Sequence, residues 1–164
     1  MDAGIRRLER SELAAAGDVI RAAFGTVAEA FGLTEENCPT NGAFLRDAAL
    51  FEEAAAGTLF YGAFEGGLCG VAALRRKGGG LFYLEKLAVL PQARGRGLGR
   101  ALVEHCAEAA RRAGGERLSI GVMYENRALV RWYGRAAFVR VGTRTFLHLP
   151  FVVCFMERDL KESA

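Results

Sequence analysis

The chain has 164 residues, 51% of them hydrophobic and 25% charged, which suits one soluble domain of the usual ~100–200 residues with a core of its own. A formal net charge of +3 is too weak for a dedicated nucleic-acid binder, and no apolar run approaches the ~20 residues a membrane helix requires. The start, Met1-Asp2-Ala3-Gly4-Ile5-Arg6-Arg7, lacks the apolar segment of a secretory signal, so the expectation is a single cytoplasmic domain over 1–164, with neither nucleic acid nor membrane as partner.

Ile5–Leu8 reads as a short first strand. Ser11 predicts an N-cap for a helix over Glu12–Phe24, filled with Ala and other good helix formers, and Val27–Phe31 extends it past Gly25. Thr34–Gly42, with Asn37, Pro39 and Asn41, is a loop. Ala43–Ala56 is a second helix stopped by Gly57. The pattern then changes. Thr58–Phe64, Leu68–Leu74 and Leu81–Leu90 are strand-like runs separated by Glu65-Gly66-Gly67 and Lys77-Gly78-Gly79-Gly80. Those hairpin compositions make the three runs antiparallel neighbours.

Pro91 closes the third run, and Leu98–Ala113 follows as an amphipathic helix ended by Gly114-Gly115. Leu118–Val122 is a further buried strand and Asn126–Arg135 a helix. Phe138–Phe146 and Phe151–Glu157 are two last strands joined by Leu147–Pro150. This order predicts an α/β fold with a mixed, mostly antiparallel sheet and helices on both faces. The apolar last strands and the Phe146–Phe151 connection could serve the core or pair in a homodimer.

Cys38, Cys69, Cys106 and Cys154 are scattered, with no Cys-x-x-Cys pair. They read as small reduced residues rather than a disulfide or metal framework. His105 and His148 are far apart, so no metal is expected.

The informative stretch is Leu87-Ala88-Val89-Leu90-Pro91-Gln92-Ala93-Arg94-Gly95-Arg96-Gly97-Leu98-Gly99-Arg100. A buried strand stops at a proline and a glycine-rich turn opens a helix. Glycines let the backbone approach a ligand closely. The first helical N–H groups have no intrahelical partner and stand at the positive end of the helix dipole, which makes a seat for a pyrophosphate. Arg94, Arg96 and Arg100 form a local basic patch suited to a small polyanion. A Walker loop would end Gly-Lys-Ser/Thr, where this one ends Gly99-Arg100-Ala101. A dinucleotide fingerprint wants glycine at its sixth place, where Arg100 stands, and a parallel unit before it rather than hairpins.

The pattern Gln92-x-x-Gly95-x-Gly97 followed by Leu98-Gly99-Arg100 resembles the acyl-CoA loop of the GCN5-related N-acetyltransferase (GNAT) superfamily. Leu87-Ala88-Val89-Leu90-Pro91 is similar to that family's fourth strand. Asn126-x-x-Leu129-Val130-x-Trp132-Tyr133-x-x-x-Ala137-Phe138 is similar to its closing segment. Ala137 stands where the family usually has glycine; if φ is positive there, alanine costs about 1 kcal/mol. The resemblance spans nearly the whole chain and implies a GNAT-like sheet with splayed central strands.

It further implies acetyl-CoA as cosubstrate, with pantetheine lying along the strand edge Leu87-Ala88-Val89 and bonding the backbone of Leu87 and Val89. The turn from Gln92, through the amides of Arg94, Gly95, Arg96, Gly97, Leu98, Gly99 and Arg100, would hold the pyrophosphate. Asn126 would reach the pantetheine arm, and Leu129, Trp132 and Tyr133 would wall it. Tyr133 would protonate the departing sulfur. Strand alternation puts Tyr83, Glu85, Leu87 and Val89 on one face, where Glu85 is a candidate general base; its alternative is an ion pair with Lys86 or a nearby arginine. The expected function is transfer of an acetyl group to an amine acceptor. The competing readings are a non-catalytic acyl-CoA-binding or sensing module and, far behind, an arginine-based nucleic-acid binder. The acceptor is left open, with the Thr34–Gly42 loop a candidate selector.

Overall fold

The structure, a computed structural model, describes residues 4–161; residues 1–3 and 162–164, the ends of the expected 1–164 domain, lie outside the described residues. Strand β1 (Gly4–Arg7) leads to helices α1 (Leu13–Ala30) and α2 (Asp47–Ala55), then to β2 (Leu59–Phe64), β3 (Leu68–Gly78) and β4 (Leu81–Val89). Helix α3 (Leu98–Arg112), β5 (Arg117–Met123), α4 (Arg127–Arg135), β6 (Val139–Thr145) and β7 (Val152–Asp159) complete the chain. One sheet orders the strands β1-β2-β3-β4-β5-β7-β6. All pairs are antiparallel except β4 with β5.

Two starts differ from expectation. Ser11 caps nothing: it lies inside a tight turn over Arg10–Glu12. There the Glu12 carboxylate accepts the Glu9 N–H at 2.8 Å and grips Arg6 at 2.6 Å, which closes the turn, while no side chain caps α1 itself. The second helix begins at Asp47 rather than Ala43, because Gly42–Phe44 forms a separate turn and Arg46 is extended (φ −99, ψ 142). Gly25 does not interrupt α1; a single interior glycine costs about 1 kcal/mol, which the packed face of an eighteen-residue helix offsets.

Two apolar layers sandwich the sheet. On one side α3 and α4 cover a core that includes Leu74, Leu102, Cys106 and Leu118. On the other, α1 and α2 cover Val71, Ala73 and Ala88 with Leu13, Ile20 and Leu50. All four cysteines are free and buried, Cys38 included. The last two strands differ in burial. Cys154 and Met156 of β7 are core, whereas every residue of β6 is exposed, with Val139 at 64% and Val141 at 55%. Among the described residues no helix is long and apolar enough to cross a membrane.

Ala137 has φ +73, a left-handed conformation that costs an L-residue about 1–2 kcal/mol. Its N–H donates to Gly134 O at 3.2 Å and the next N–H, of Phe138, to Tyr133 O at 3.1 Å, so the turn that ends α4 is held despite the strain. Ala137→Gly is expected to stabilise the protein by about 0.5–1 kcal/mol, the strain relieved exceeding the unfolded-state entropy added. Urea unfolding checks this; an unchanged or lower midpoint removes the strain argument.

Candidate active site

Strands β4 and β5 pair only over Leu81–Tyr83 with Arg117–Ser119. Beyond that they part, β4 running on to Val89 and β5 to Met123. A bulge accompanies the parting. The β3–β4 register slips between Val71–Ala88 and Ala73–Glu85, and Lys86, inside the slip, has φ +54. Bulges bend and twist a strand. Lys86 Nζ is anchored to Glu53 of α2 at 2.8 Å.

The bulge also corrects the expectation that Tyr83, Glu85, Leu87 and Val89 share a face. Phe82 and Leu84 belong to the α3-side core, and beyond the bulge Leu87 and Val89 pack against that same core. Ala88 goes to the α1 side and its backbone pairs with Val71, so Ala88 does not face the parting strands. Tyr83 and Glu85 therefore lie on the α1–α2 side and Leu87 and Val89 on the α3–α4 side, because one extra residue shifts the two-residue alternation. Leu90 N–H donates to Cys69 O on β3 at 2.9 Å. By alternation its neighbour Val89 turns N–H and C=O towards the gap.

After the tight turn Pro91–Ala93, the backbone is left-handed at Gly95 (φ +81) and Gly97 (φ +79) and then enters α3. The N–H groups of Gly95 through Arg100 have no acceptor among the described residues; the first one satisfied is that of Ala101, on Gly97 O at 3.0 Å. A Cβ placed on Gly95 or Gly97 would meet nothing within 4 Å, so the space before these donors is open. Convergent N–H groups at a helix start form an anion seat.

The arginine side chains are largely spent on the protein itself. Arg96 pairs with Glu65 at 3.0 Å, and Arg100 binds Glu104 at 3.0 Å and Arg135 O at 3.2 Å. Arg94 acts as a brace. Its guanidinium donates to Val89 O at 3.3 Å and, from α1, to Ala23 O and Thr26 Oγ1, both at 3.1 Å. This tie between β4, the turn and α1 has no signal in the sequence, since its acceptors on α1 lie about seventy positions away. Gln92 is exposed within the turn. The unpaired donors at this turn are therefore backbone N–H groups more than arginine side chains.

Helix α4 closes the site on the α3 side. Asn126 caps it, Oδ1 accepting the Leu129 N–H at 3.2 Å. Leu129 and Trp132 are partly buried against the core, and a Cβ on Gly99 would sit 3.4 Å from Trp132 Cζ2, so α4 touches the first turn of α3. Tyr133 is 7% exposed and packs edge-on against Trp132 and Phe138, with ring centroids 5.0 and 5.4 Å away. Burial, and secondarily the Cys106 thiol, raise its phenol well above the ordinary value; burial likewise pushes Cys106 up to about 12. No partner for the Tyr133 hydroxyl appears among the described residues, and none of their fully buried side-chain oxygens is left unpaired. The hydroxyl is therefore not fully enclosed.

On the opposite face, Glu85 receives both donors of Arg75, at 3.3 and 2.9 Å, and Arg75 lies 4.7 Å above the Tyr83 ring. Its ion-pair partner is thus an arginine of β3 and not Lys86. Glu85 lies on the α1–α2 side of the sheet beside the gap, and Tyr133 lies in the core on the α3–α4 side. The parting of β4 and β5 thus ends near a turn whose N–H groups are unpaired. Among the described residues no cluster of three or more His, Cys, Asp or Glu could hold a metal.

The family model described as "Acetyltransferase (GNAT) family" matches residues 28–138. Solved structures share the fold over nearly the full length. The Salmonella typhimurium protein yncA, with its cofactor acetyl-CoA, is 21% identical with a TM-score of 0.72, covering 100% of this chain and 97% of its own. The ribosomal-protein-S18-alanine N-acetyltransferase of Escherichia coli is 18% identical with a TM-score of 0.77, over 99% and 96%. The PaiA N-acetyltransferase of Thermoplasma acidophilum, in complex with coenzyme A, is 18% identical with a TM-score of 0.73, over 97% and 99%. No curated protein sequence matches the chain.

Proposed function

The chain belongs to the GNAT acetyltransferase family, and from that membership we propose that it passes an acetyl group from acetyl-CoA directly to a primary amine. The observation that carries the cosubstrate is the run of unpaired N–H groups from Gly95 to Arg100 at the end of an open slot between β4 and β5. A pyrophosphate satisfies the first and an extended arm fills the second. Val89 offers the arm or its carbonyl a backbone N–H, while Leu129 and Trp132 wall it and Asn126 lies at its side.

Acetyl-CoA supplies an activated thioester; the chain supplies position and proton traffic. A free alkylammonium has a pKa near ~10.4, so the amine must lose a proton before it attacks. Glu85 takes that proton on the α1–α2 face and returns it to solvent. As the N–C bond forms and the C–S bond breaks, the Val89 N–H faces the carbonyl oxygen, where charge develops. Tyr133 gives its proton to the sulfur and regains one from the acylated nitrogen. Its raised phenol pKa keeps it protonated at neutral pH, which a donor requires. A non-catalytic acyl-CoA sensor is the second reading; a buried phenol that holds its proton and has no protein partner for its hydroxyl favours turnover.

Calorimetric titration with acetyl-CoA, with ADP and NAD as controls, tests the cosubstrate. Selective binding of acetyl-CoA, followed by amine-dependent CoA release, is expected. Absence of binding overturns the proposal; binding without release from any amine leaves the sensor.

A further inference from the structure

Helix α4 has nine residues, and a helix this short is marginal alone, so its ends and its packing decide where Tyr133 stands. Asn126 closes its start. At its end the Ala136 N–H donates to Tyr133 O at 2.9 Å, the Phe138 N–H to the same oxygen at 3.1 Å, and the Ala137 N–H to Gly134 O at 3.2 Å. The next two carbonyls take donors from other elements. Arg135 O accepts from Arg100 of α3 at 3.2 Å, and Ala136 O from Arg158 of β7 at 3.4 Å.

One carboxylate joins these two guanidiniums. Glu104, a turn along α3 from Arg100, accepts both terminal nitrogens of Arg158 at 2.7 and 2.9 Å and Nε of Arg100 at 3.0 Å. The Arg158 hydrogen bond, opposed by burial and aided by Arg100, holds the Glu104 carboxyl below the ordinary carboxylate range. Cations at a helix C-terminus suit its dipole, but two of them repel each other. A carboxylate between them removes that repulsion and fixes both planar forks, because Arg–carboxylate pairs are directional. The Arg158 side chain is 20% exposed, so this pairing is screened less than one at the open surface.

We propose that Glu104 is a positioning residue: acting through Arg100 and Arg158, it locks the end of α4 to the first turn of α3 and so fixes the reach of the Tyr133 hydroxyl. This role rests on the acetyl-transfer reading above. Tyr133 lies three residues before Ala136, and its ring is packed edge-on between Trp132 and Phe138, so its hydroxyl moves with α4. Arg100 belongs to the turn whose N–H groups are unpaired, and its side chain reaches α4. The same lock therefore joins the expected cosubstrate seat to the expected proton donor. A donor must stand within hydrogen-bond reach of the atom it protonates, and a misplacement of ~1 Å costs about a hundredfold.

Glu104→Gln keeps the volume and an acceptor but leaves the two guanidiniums without a counter-charge. Trp132 is the one tryptophan of the chain and lies beside Tyr133 and against the first turn of α3, so its emission reports the seat of α4 with no acceptor needed. Wild type, Glu104→Gln, Tyr133→Phe and the double variant are compared. The readouts are acetyl-CoA affinity, acrylamide quenching of Trp132, unfolding midpoint, and CoA release with ethylamine, 2-phenylethylamine, spermidine and a short peptide with a free N-terminus. Glu104→Gln is expected to increase Trp132 quenching and to lower kcat about tenfold, with KM for acetyl-CoA changed less than about twofold. In the Tyr133→Phe background the same substitution should change kcat by less than about twofold, because the donor it positions is already gone. Arg158→Lys, which keeps the charge but not the fork, should give the same pattern and carries the test if Glu104→Gln does not fold.

Equal losses of kcat in the two backgrounds, or a lower unfolding midpoint with kcat unchanged, mark the cluster as structural and overturn the proposal. Unchanged Trp132 quenching in both variants overturns it as well. If Tyr133→Phe turns over like wild type, or no amine is turned over, the donor assignment of the proposed function fails and this role falls with it. A slow Tyr133→Phe with an additive Glu104→Gln sinks the positioning role alone.

Discussion

Gly97→Glu is expected to weaken acetyl-CoA binding by more than about a hundredfold while leaving a folded protein, because it puts bulk and negative charge where the N–H groups converge. Like-charge juxtaposition at a ligand site costs several kcal/mol, and each 1.4 kcal/mol is about tenfold in affinity. Two effects must be separated. Gly97 has φ +79, so any side chain there carries about 1–2 kcal/mol of backbone strain. A Cβ would meet no protein atom within 4 Å, so the strain is the only cost to the free protein. Gly97→Ala isolates it and should lower the unfolding midpoint as Gly97→Glu does, while losing far less affinity. Titration of both variants beside their melting curves decides; equal affinity in Gly97→Glu and wild type places the anion elsewhere.

Tyr133→Phe should keep acetyl-CoA affinity and lower kcat by about 10²–10⁴-fold, the usual worth of a positioned proton donor. The ring stays, so its edge-on packing with Trp132 and Phe138 stays as well, and the unfolding midpoint should hardly move. A residue that only packed would show the reverse, since losing a hydroxyl from a packed site changes stability more than rate. The pH dependence adds a second readout. Burial raises the Tyr133 pKa, so its proton is retained up to and beyond the ordinary phenol value, and wild-type turnover should show no decline from Tyr133 ionisation below about pH 10. An unchanged kcat in Tyr133→Phe, with a verified amine, takes the residue out of the chemistry.

The paired charges bear on how these variants are read. Glu104 joins Arg100 of α3 to Arg158 of β7, at 3.0 and 2.7 Å, so substitutions at Arg100 disturb packing as well as the anion seat. Backbone-directed changes at Gly97 are cleaner probes than arginine removals for that reason.

Much of the protein was legible in the residue pattern. The Gly-rich separators, the Pro91 stop and the helical spacing from Leu98 placed every strand and helix within a few residues, because turn chemistry and amphipathic period are local properties. The strain at Ala137 was also legible, as an alanine where the resemblance called for glycine. The Gly95–Arg100 donors could be read too, since unsatisfied N–H groups follow from any helix start.

What the pattern left open depends on pairs of residues far apart in the chain. The β4 bulge at Lys86 is a property of the β3–β4 register, and it moved Glu85 to the face opposite Leu87 and Val89. Arg75 as the partner of Glu85 and the Arg94 brace to α1 belong to the same kind. Local sequence determined which segments form strands and helices and where a helix start leaves its N–H groups unpaired. Only the tertiary structure decided which side chains face each other across the slot, because register joins segments whose alignment is set by the packing of the whole sheet, and a shift of one residue exchanges its two faces.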